Sequence, residues 1–445
     1  MKKIKNALLI LLASLTALWL LADTLMPTPL TYGAFRNVFM QYSGVIAIGA
    51  MSVAMVLALR PKWLEGHLDG LDKIYRLHKW LGITALVTAI AHWWLGQGTK
   101  WMTQWGWMVR PPRGPRPNPA DLGLIEGWLR TQRGLAESLG EWAFYIAAIL
   151  LILALVKRFP YHLFQKTHKW LAATYLVFVY HAIVLTKIAY WSQPVGWVLA
   201  LLMAAGSIAA VLTLLGRIGA QRKVRGTIDT LHALPGLRVL ETSVILQAGW
   251  AGHAAGQFAF VTFDPKEGAH PYTIASAWHP DDRRITFITK ALGDHTSRLD
   301  GQLKPGAPVT VEGPYGCFDF NDDQPRQIWI GAGIGVTPFI ARMKQRALDG
   351  DRKPVDLFYS THRQDPLAVQ RLNEAAEAGG VTLHIVESAS SGRLDGEKIR
   401  ARVPDWSSAS FWFCGPSAFA QALRQDFVRH GIPSARFHHE LFEMR

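Results

Sequence analysis

A chain of 445 residues is too long for a single hydrophobic core, so two or three domains are expected. Half of its residues are hydrophobic and its formal net charge is +14 at pH 7. The basic residues gather at the ends of apolar stretches, as they do in membrane proteins, so nucleic acid is not needed to explain the charge. Two cysteines, Cys317 and Cys414, argue against a disulfide framework.

Hydrophobicity divides the chain. Residues 1–216 are dense in Leu, Ala, Ile, Val and Trp, while 217–445 have the balance of a soluble protein. Six apolar stretches, near 6–25, 37–59, 77–95, 141–157, 168–190 and 194–216, have the length of bilayer-spanning helices. The fourth is the shortest. Residues 1–25 share the basic start and apolar core of a secretory signal, but no small-x-small cleavage site follows, so they are read as the first helix.

Lys2, Lys3 and Lys5, then Arg60, Lys62, Lys73 and Arg76, mark alternate ends of these stretches, as do Lys157, Arg158, Lys166 and Lys169, and Arg217, Arg222, Lys223 and Arg225. Placing all of them inside puts both termini in the cytoplasm and the chain in the inner membrane. The loop 96–140 departs from this pattern, with Lys100, Arg110, Arg113, Arg116, Arg130 and Arg133 on the expected outer side and prolines at 111, 112, 115, 117 and 119. It reads as an external element: a solvated loop, a lure for an anionic substrate, or a docking surface for a periplasmic partner.

Four histidines stand inside the apolar half: His78 and His92, 14 residues apart, and His168 and His181, 13 apart. At about 1.5 Å per residue each pair spans roughly 20 Å of helix, so two such helices side by side would offer a histidine pair near each bilayer face. Ionisable groups in a span are costly and rarely idle, and imidazole is a usual axial ligand of haem iron. A lone membrane histidine also serves as an interhelical hydrogen-bonding group, but two matched pairs favour two haems. At about 100° per residue, a 14-residue step nearly returns to one face, whereas a 13-residue step misses by about 140°. The helix carrying His168 and His181 must therefore bend, tilt or change pitch.

The soluble half begins with short β-type runs, "VRGTIDTLHAL", "LRVLETSVIL", "QFAFVTF" and "RITFITKAL", spaced as in a small antiparallel barrel. It holds "HPYTIAS" (270–276), "ALGDHTSRL" (291–299) and "GPYG" (313–316). From about 327 strands alternate with helices, which predicts a parallel sheet with a ligand at the strand C-termini. "GAGIGVTP" (331–338) follows a strand and opens a helix, where glycines let backbone approach a pyrophosphate. A tight helix–strand turn is the plainer reading, and "FCGP" (413–416) after a later strand favours the nucleotide.

"HPYTIAS", "GPYG", "GAGIGVTPF" and "FCGP", in that order behind four histidines on apolar helices, resemble the NADPH oxidase and ferric reductase superfamily, whose soluble half is a ferredoxin–NADP reductase module. The resemblance implies a six-helix transmembrane haem-binding bundle (1–219), a flavin-binding antiparallel β-barrel (220–323) and an α/β nucleotide-binding domain (324–445). It implies that Tyr272, Thr273 and Ser276 contact FAD, with His270 and Pro271 shaping the turn and Gly293, Thr296 and His295 approaching the diphosphate. Gly333, Gly335, Thr337 and Pro338 would seat NADPH or NADH. Cys414, Gly415 and Pro416 would line the nicotinamide pocket. His78 would pair with His168 on an inner haem b, and His92 with His181 on an outer one.

Electrons would pass from cytoplasmic NAD(P)H through FAD and both haems to the outer face. With two imidazoles on each iron, O2 or a ferric chelate would be reduced at the haem edge; the alternative acceptor is a quinone or a periplasmic protein. Arg363, after the second nucleotide-domain strand, is placed to bind a 2′-phosphate or to be a surface arginine. Phe442, ahead of Phe437, is the candidate ring over the flavin, with core packing as the rival. Cys317 reads as a small buried residue, and His438 and His439 as strand residues. Ala275 stands where relatives commonly have Ser.

Overall fold

The computed structural model describes residues 2–109, 123–156 and 158–440. They form two compact units: Met1–Leu64 with Lys73–Ile218, and Glu65–Asp72 with Gly219–Met444.

The first unit is helical: α1 (Lys2–Leu20), α2 (Tyr32–Ala58), α3 (Lys62–Leu68, at its edge), α4 (Leu71–Gln104), α5 (Leu124–Leu155), α6 (Tyr161–His168), α7 (Leu171–Leu185) and α8 (Pro194–Leu214). Among the described residues five segments are long and apolar enough to cross a membrane: α1, α2, α5, α8 and the run Tyr161–Leu185. The sixth expected span lies on α4, whose 34 residues are diluted by His92, Trp93, Trp94 and Gln97. Small residues set the packing. Gly49, Ala50, Ser52 and Ala54 are buried on α2 and Gly206, Ala209 and Ala210 on α8, and small side chains let membrane helices approach closely. Tyr175 fills the space over Gly206 and shares a hydrogen bond of 2.8 Å with Ser52 Oγ.

Two expectations about this unit change. The stretch placed at 168–190 starts at Tyr161 and is interrupted directly after His168, between α6 and α7. Backbone bonds there skip only three residues: Trp170 N to Thr167 O at 3.0 Å, Ala172 N to Lys169 O at 3.1 Å and Ala173 N to Trp170 O at 3.0 Å. Such turns wind at about 120° per residue, a change of pitch in the direction that the 13-residue spacing demands. The loop expected at 96–140 is also shorter, because α4 continues to Gln104 and α5 begins at Leu124. Arg130 and Arg133 are helix-surface residues paired with Glu126 and Glu137 at 2.8 and 3.0 Å. Arg110, Arg113, Arg116 and the five prolines fall outside the described residues.

The second unit opens with six antiparallel strands: β1 (Lys223–Leu234), β2 (Val239–Leu246), β3 (Phe258–Thr262), β4 (His270–Thr273), β5 (Arg284–Lys290) and β6 (Pro308–Tyr315). Their order is β4-β3-β6-β1-β2-β5. A bridge from Ile274 to Phe287 joins the two edges and closes the barrel. Residues 223–228 of β1 alternate exposed and buried, and Val244, Val261, Ile274, Ile285, Phe287 and Val311 fill the interior.

After the short α9 (Leu299–Gln302), a parallel sheet follows: β7 (Arg326–Ala332), α10 (Thr337–Asp349), β8 (Val355–Thr361), α11 (Pro366–Ala378), β9 (Thr382–Glu387), α12 (Ser388–Ser391), α13 (Gly396–Arg402), β10 (Ala409–Cys414), α14 (Ser417–Arg429) and β11 (Phe437–His439). The order β11-β10-β7-β8-β9 places the topological switch between β7 and β10, where such sheets bind ligands. Every residue of β10 is buried, as a central parallel strand requires.

Segment 65–72, from within α3 to the start of α4, belongs to this second unit. The Glu65 carboxylate accepts from Arg222 Nη1 at 3.0 Å and from Gly316 N at 3.2 Å. The Arg222 guanidinium also lies 4.6 Å over the Tyr315 ring. A hydrogen bond to a charged group contributes about 1.5–3 kcal/mol. Glu65→Ala should therefore make tryptic cleavage at Lys62 and Lys73 several-fold faster; an unchanged digestion rate would show that this carboxylate does not hold the segment.

Candidate functional site

The histidines of the first unit do form two pairs. The ring centroids of His78 and His168 are 5.9 Å apart, and those of His92 and His181 are 6.3 Å apart. Two imidazoles bound to one metal through nitrogens at about 2.0–2.1 Å each have centroids on the order of 6 Å apart, so both pairs fit a bis-imidazole iron. The outward-facing nitrogens are also provided for. His78 Nδ1 lies 2.9 Å from Ala54 O, His92 Nδ1 lies 3.1 Å from Met40 O, and His181 Nδ1 lies 2.8 Å from Ala136 O. A carbonyl only accepts, so each of these three rings carries its proton on Nδ1 and keeps a lone pair on Nε2.

Met40 and Ala54 are 14 residues apart on α2, the same interval as His78 and His92 on α4. One helix thereby orients both histidines of its neighbour. Gly140 on α5 completes the setting of His181, since a Cβ there would overlap His181 Nδ1. Sequence reading missed Met40, Ala54 and Ala136 because a main-chain carbonyl leaves no trace in residue type. Gly140, a glycine in mid-helix, was a visible signal.

In the barrel, β4 and the 293–296 turn meet. The His270 and His295 rings stack at 4.0 Å and 11°, and His295 Nε2 lies 3.1 Å from the Tyr272 hydroxyl. Thr296 Oγ1 accepts from Leu292 N and Gly293 N at 3.0 and 3.1 Å, which forms the turn. Thr273 is half-buried at the end of β4, beside Pro271. Ser276 is turned toward β5: its Oγ accepts from Thr286 N at 3.1 Å, and its carbonyl accepts from His253 Nε2 at 3.1 Å. Burial, aided by the charge of His295, brings His270 down to about 4, and burial brings His253 to about 4 against the Ser276 carbonyl. Glu267, His270 and His295 hold ligand atoms within 4.8 Å of one another. Two imidazoles and adjacent turn amides suit a diphosphate.

At the switch point, Gly333–Val336 forms a 3-10 turn with Gly333 at φ +57°, and Pro338 opens α10. Thr337 Oγ1 donates to Ile334 O at 2.7 Å. A Cβ on Gly335 would overlap the Cys414 carbonyl, so only glycine lets the two Gly-rich strand ends come together. Gly415 is equally constrained, its Cβ position falling 2.7 Å from that of Ala332, and Pro416 precedes α14. Cys414 is fully buried, and burial together with the Glu440 charge pushes its thiol well above the ordinary range. Such a thiol stays protonated at neutral pH. Glu440, itself buried, went unnoticed in the sequence, where one acid beside "FHH" carries no pattern.

Other candidates fare differently. Arg363 is exposed just beyond β8, where Thr361 Oγ1 donates to its carbonyl at 2.9 Å. Phe437 packs in the sheet core with Phe411, Phe413 and Phe427, so it does not cover a flavin; Phe442 lies outside the described residues. Cys317 is exposed rather than buried. The left-handed Gly316 (φ +101°) turns the chain, so that Phe318 and Phe320 go inward instead. His438 is a strand residue, as expected, and stacks on Trp412 at 4.0 Å.

Residues 43–179 match the ferric reductase like transmembrane component family, and residues 238–319 match an FAD-binding domain family. A ferric-reductase-like transmembrane component followed by an FAD-binding domain matches the domain pattern of the NADPH oxidase and ferric reductase superfamily. Both matched domains are of oxidoreductase type: a ferric-reductase-like transmembrane component and an FAD-binding domain. The flavohemoprotein of Deinococcus radiodurans is 26% identical over 185 residues, covering 38% of this chain and 46% of that protein. The ferredoxin reductase component of 3-ketosteroid-9-alpha-monooxygenase from Rhodococcus rhodochrous is 26% identical over 177 residues, covering 39% and 50%. The chain thus spans about half the length of these curated relatives. The solved flavohemoglobin of Malassezia yamatoensis aligns with a TM-score of 0.46 at 17% identity, covering 92% of this chain and 98% of that one.

The buried histidines set a pH response. An unfolded histidine takes a proton near 6.5, whereas folded His253 and His270 take theirs only near 4. The unfolded chain therefore binds more protons in between, and stability that is complete above pH 6.5 is lost as pH falls through about 4. For the FAD-free protein, the unfolding temperature of the C-terminal unit should drop from pH 7 to 4.5. His253→Gln should flatten that drop; an equally steep decline in the variant would rule out His253 as a source.

Proposed function

We propose that this chain carries electrons across a membrane, from cytoplasmic NADPH or NADH through FAD and two b-type haems to an acceptor on the outer face. The observation that supports it most is the pair of histidine couples at 5.9 and 6.3 Å with three Nδ1 atoms held by carbonyls. In this reading α4 is the sixth span of the bundle. His78 and His168 hold the inner haem, and His92 and His181 the outer.

His270, Pro271, Tyr272, Thr273 and Ser276, with Gly293, His295 and Thr296, hold FAD. Gly333, Gly335, Thr337 and Pro338 seat the nucleotide diphosphate on the first turn of α10. Cys414, Gly415, Pro416 and Glu440 border the nicotinamide, with the neutral Cys414 thiol as a contact surface that excludes water. When bound, flavin and haem supply the conversion of a hydride into single electrons that a protein cannot provide by itself. With two histidines holding each haem, an acceptor such as O2 or a ferric chelate would receive its electron without binding the iron. Arg363 binds the 2′-phosphate of NADPH.

A reduced-minus-oxidised spectrum with a haem-to-flavin ratio tests the whole reading; a protein without a Soret band despite ample porphyrin ends it. His92→Ala and His181→Ala should each remove one of two haems while NADPH still reduces the flavin. Gly140→Val, which drives a side chain into His181, should lower outer-haem occupancy without changing flavin content. Full haem retention in all three variants would contradict the ligand assignment. Arg363→Ala should raise KM for NADPH about tenfold, the loss of one charge-assisted contact, and leave KM for NADH nearly unchanged; equal effects would remove Arg363 from the phosphate site.

A further inference from the structure

The four histidines do not have equivalent surroundings. Ser43 on α2 is buried, and its Oγ lies 3.1 Å from His92 Nδ1. The same Oγ donates to Phe39 O at 2.7 Å, with Met40 O at 3.2 Å as a secondary acceptor. A serine hydroxyl has one proton. With that proton spent on the backbone, Ser43 can only accept from His92, so the His92 N–H is shared between Met40 O and Ser43 Oγ. His78 bonds Ala54 O at 2.9 Å. The α2 position 14 residues on from Ser43 is Leu57, which has no hydroxyl. The repeat that gives both α4 histidines a carbonyl therefore adds a side-chain acceptor at the outer one.

Hydrogen bonding to the far nitrogen of a ligand imidazole raises its basicity and shifts the potential of the metal it binds. We propose that Ser43 is a positioning residue of the outer site, whose hydroxyl makes His92 a more electron-donating ligand and the outer haem a stronger reductant. This rests on the two-haem reading above. The ferric form gains most from a richer ligand, so the second acceptor lowers the midpoint potential at His92 and leaves the site at His78 untouched. The outer electron then leaves with more driving force toward a difficult one-electron acceptor such as O2.

Potentiometric titration of the intact protein in detergent, followed in the haem bands, tests this with Ser43→Ala, Ser43→Thr and His92→Ala. Ser43→Ala should keep two haems per flavin and move one midpoint to a more positive potential. Ser43→Thr, which keeps the hydroxyl, should titrate like the parent. Adding Ser43→Ala to His92→Ala should leave the one remaining midpoint in place. Loss of the outer haem from Ser43→Ala alone, with Ser43→Thr intact, would also support a hydroxyl that holds His92. Unchanged midpoints in Ser43→Ala, an equal shift of both, or haem loss from both serine variants would make Ser43 a packing residue and overturn the proposal. A parent protein without two haems would instead overturn the reading beneath it.

Discussion

A buried imidazole has two nitrogens to satisfy, and inside an apolar bundle there is no water to do it. Much of the architecture of the first unit follows from that demand. The carbonyls of Met40, Ala54 and Ala136 take the Nδ1 protons of His92, His78 and His181, so α2 and α5 orient residues they do not themselves carry. The small residues along α2 and the glycine at 140 bring backbone within reach of a ring. The tightened turn after His168 contributes to phasing a 13-residue step whose two imidazoles each meet a partner ring.

The second unit meets a different constraint, close approach of backbone to backbone. At the switch between β7 and β10, Gly335 and Gly415 occupy places where any side chain would strike the neighbouring strand end. Removing those side chains leaves amide groups and a helix N-terminus facing one crevice, which suits an anionic nucleotide. In the barrel, β4 and the 293–296 turn are tied through Tyr272, His270 and His295. Burial holds the His270 and His295 rings below the usual histidine range, and the charge of a nearby anion would offset that penalty.

Patterns that depend on residue type and spacing were legible beforehand: the split at about 216, the barrel strands, the Gly-rich turns and the two histidine pairs. What escaped notice works through main chain or through distance. The anchoring of 65–72 in the second unit needs Arg222 and Gly316, which are more than 150 residues away from Glu65. The choice of place for Phe437 was left open, and Cys317 was read as buried, for a related reason. An aromatic near the C-terminus suits a flavin face or a core equally well, and only the register of β11 on β10 puts Phe437 inside. Only the turn at Gly316 puts Cys317 outside.

The amino-acid order alone determined which chemistries were affordable: imidazoles in apolar helices, glycines after strands, a hydroxyl-rich turn beside a tyrosine. Hydropathy and periodicity are local, so they survive translation into sequence. Tertiary structure decided which imidazole meets which, where each ring proton resides and which serine shares it. Those outcomes depend on carbonyl directions and interhelical spacing, and every residue presents the same carbonyl whatever its side chain.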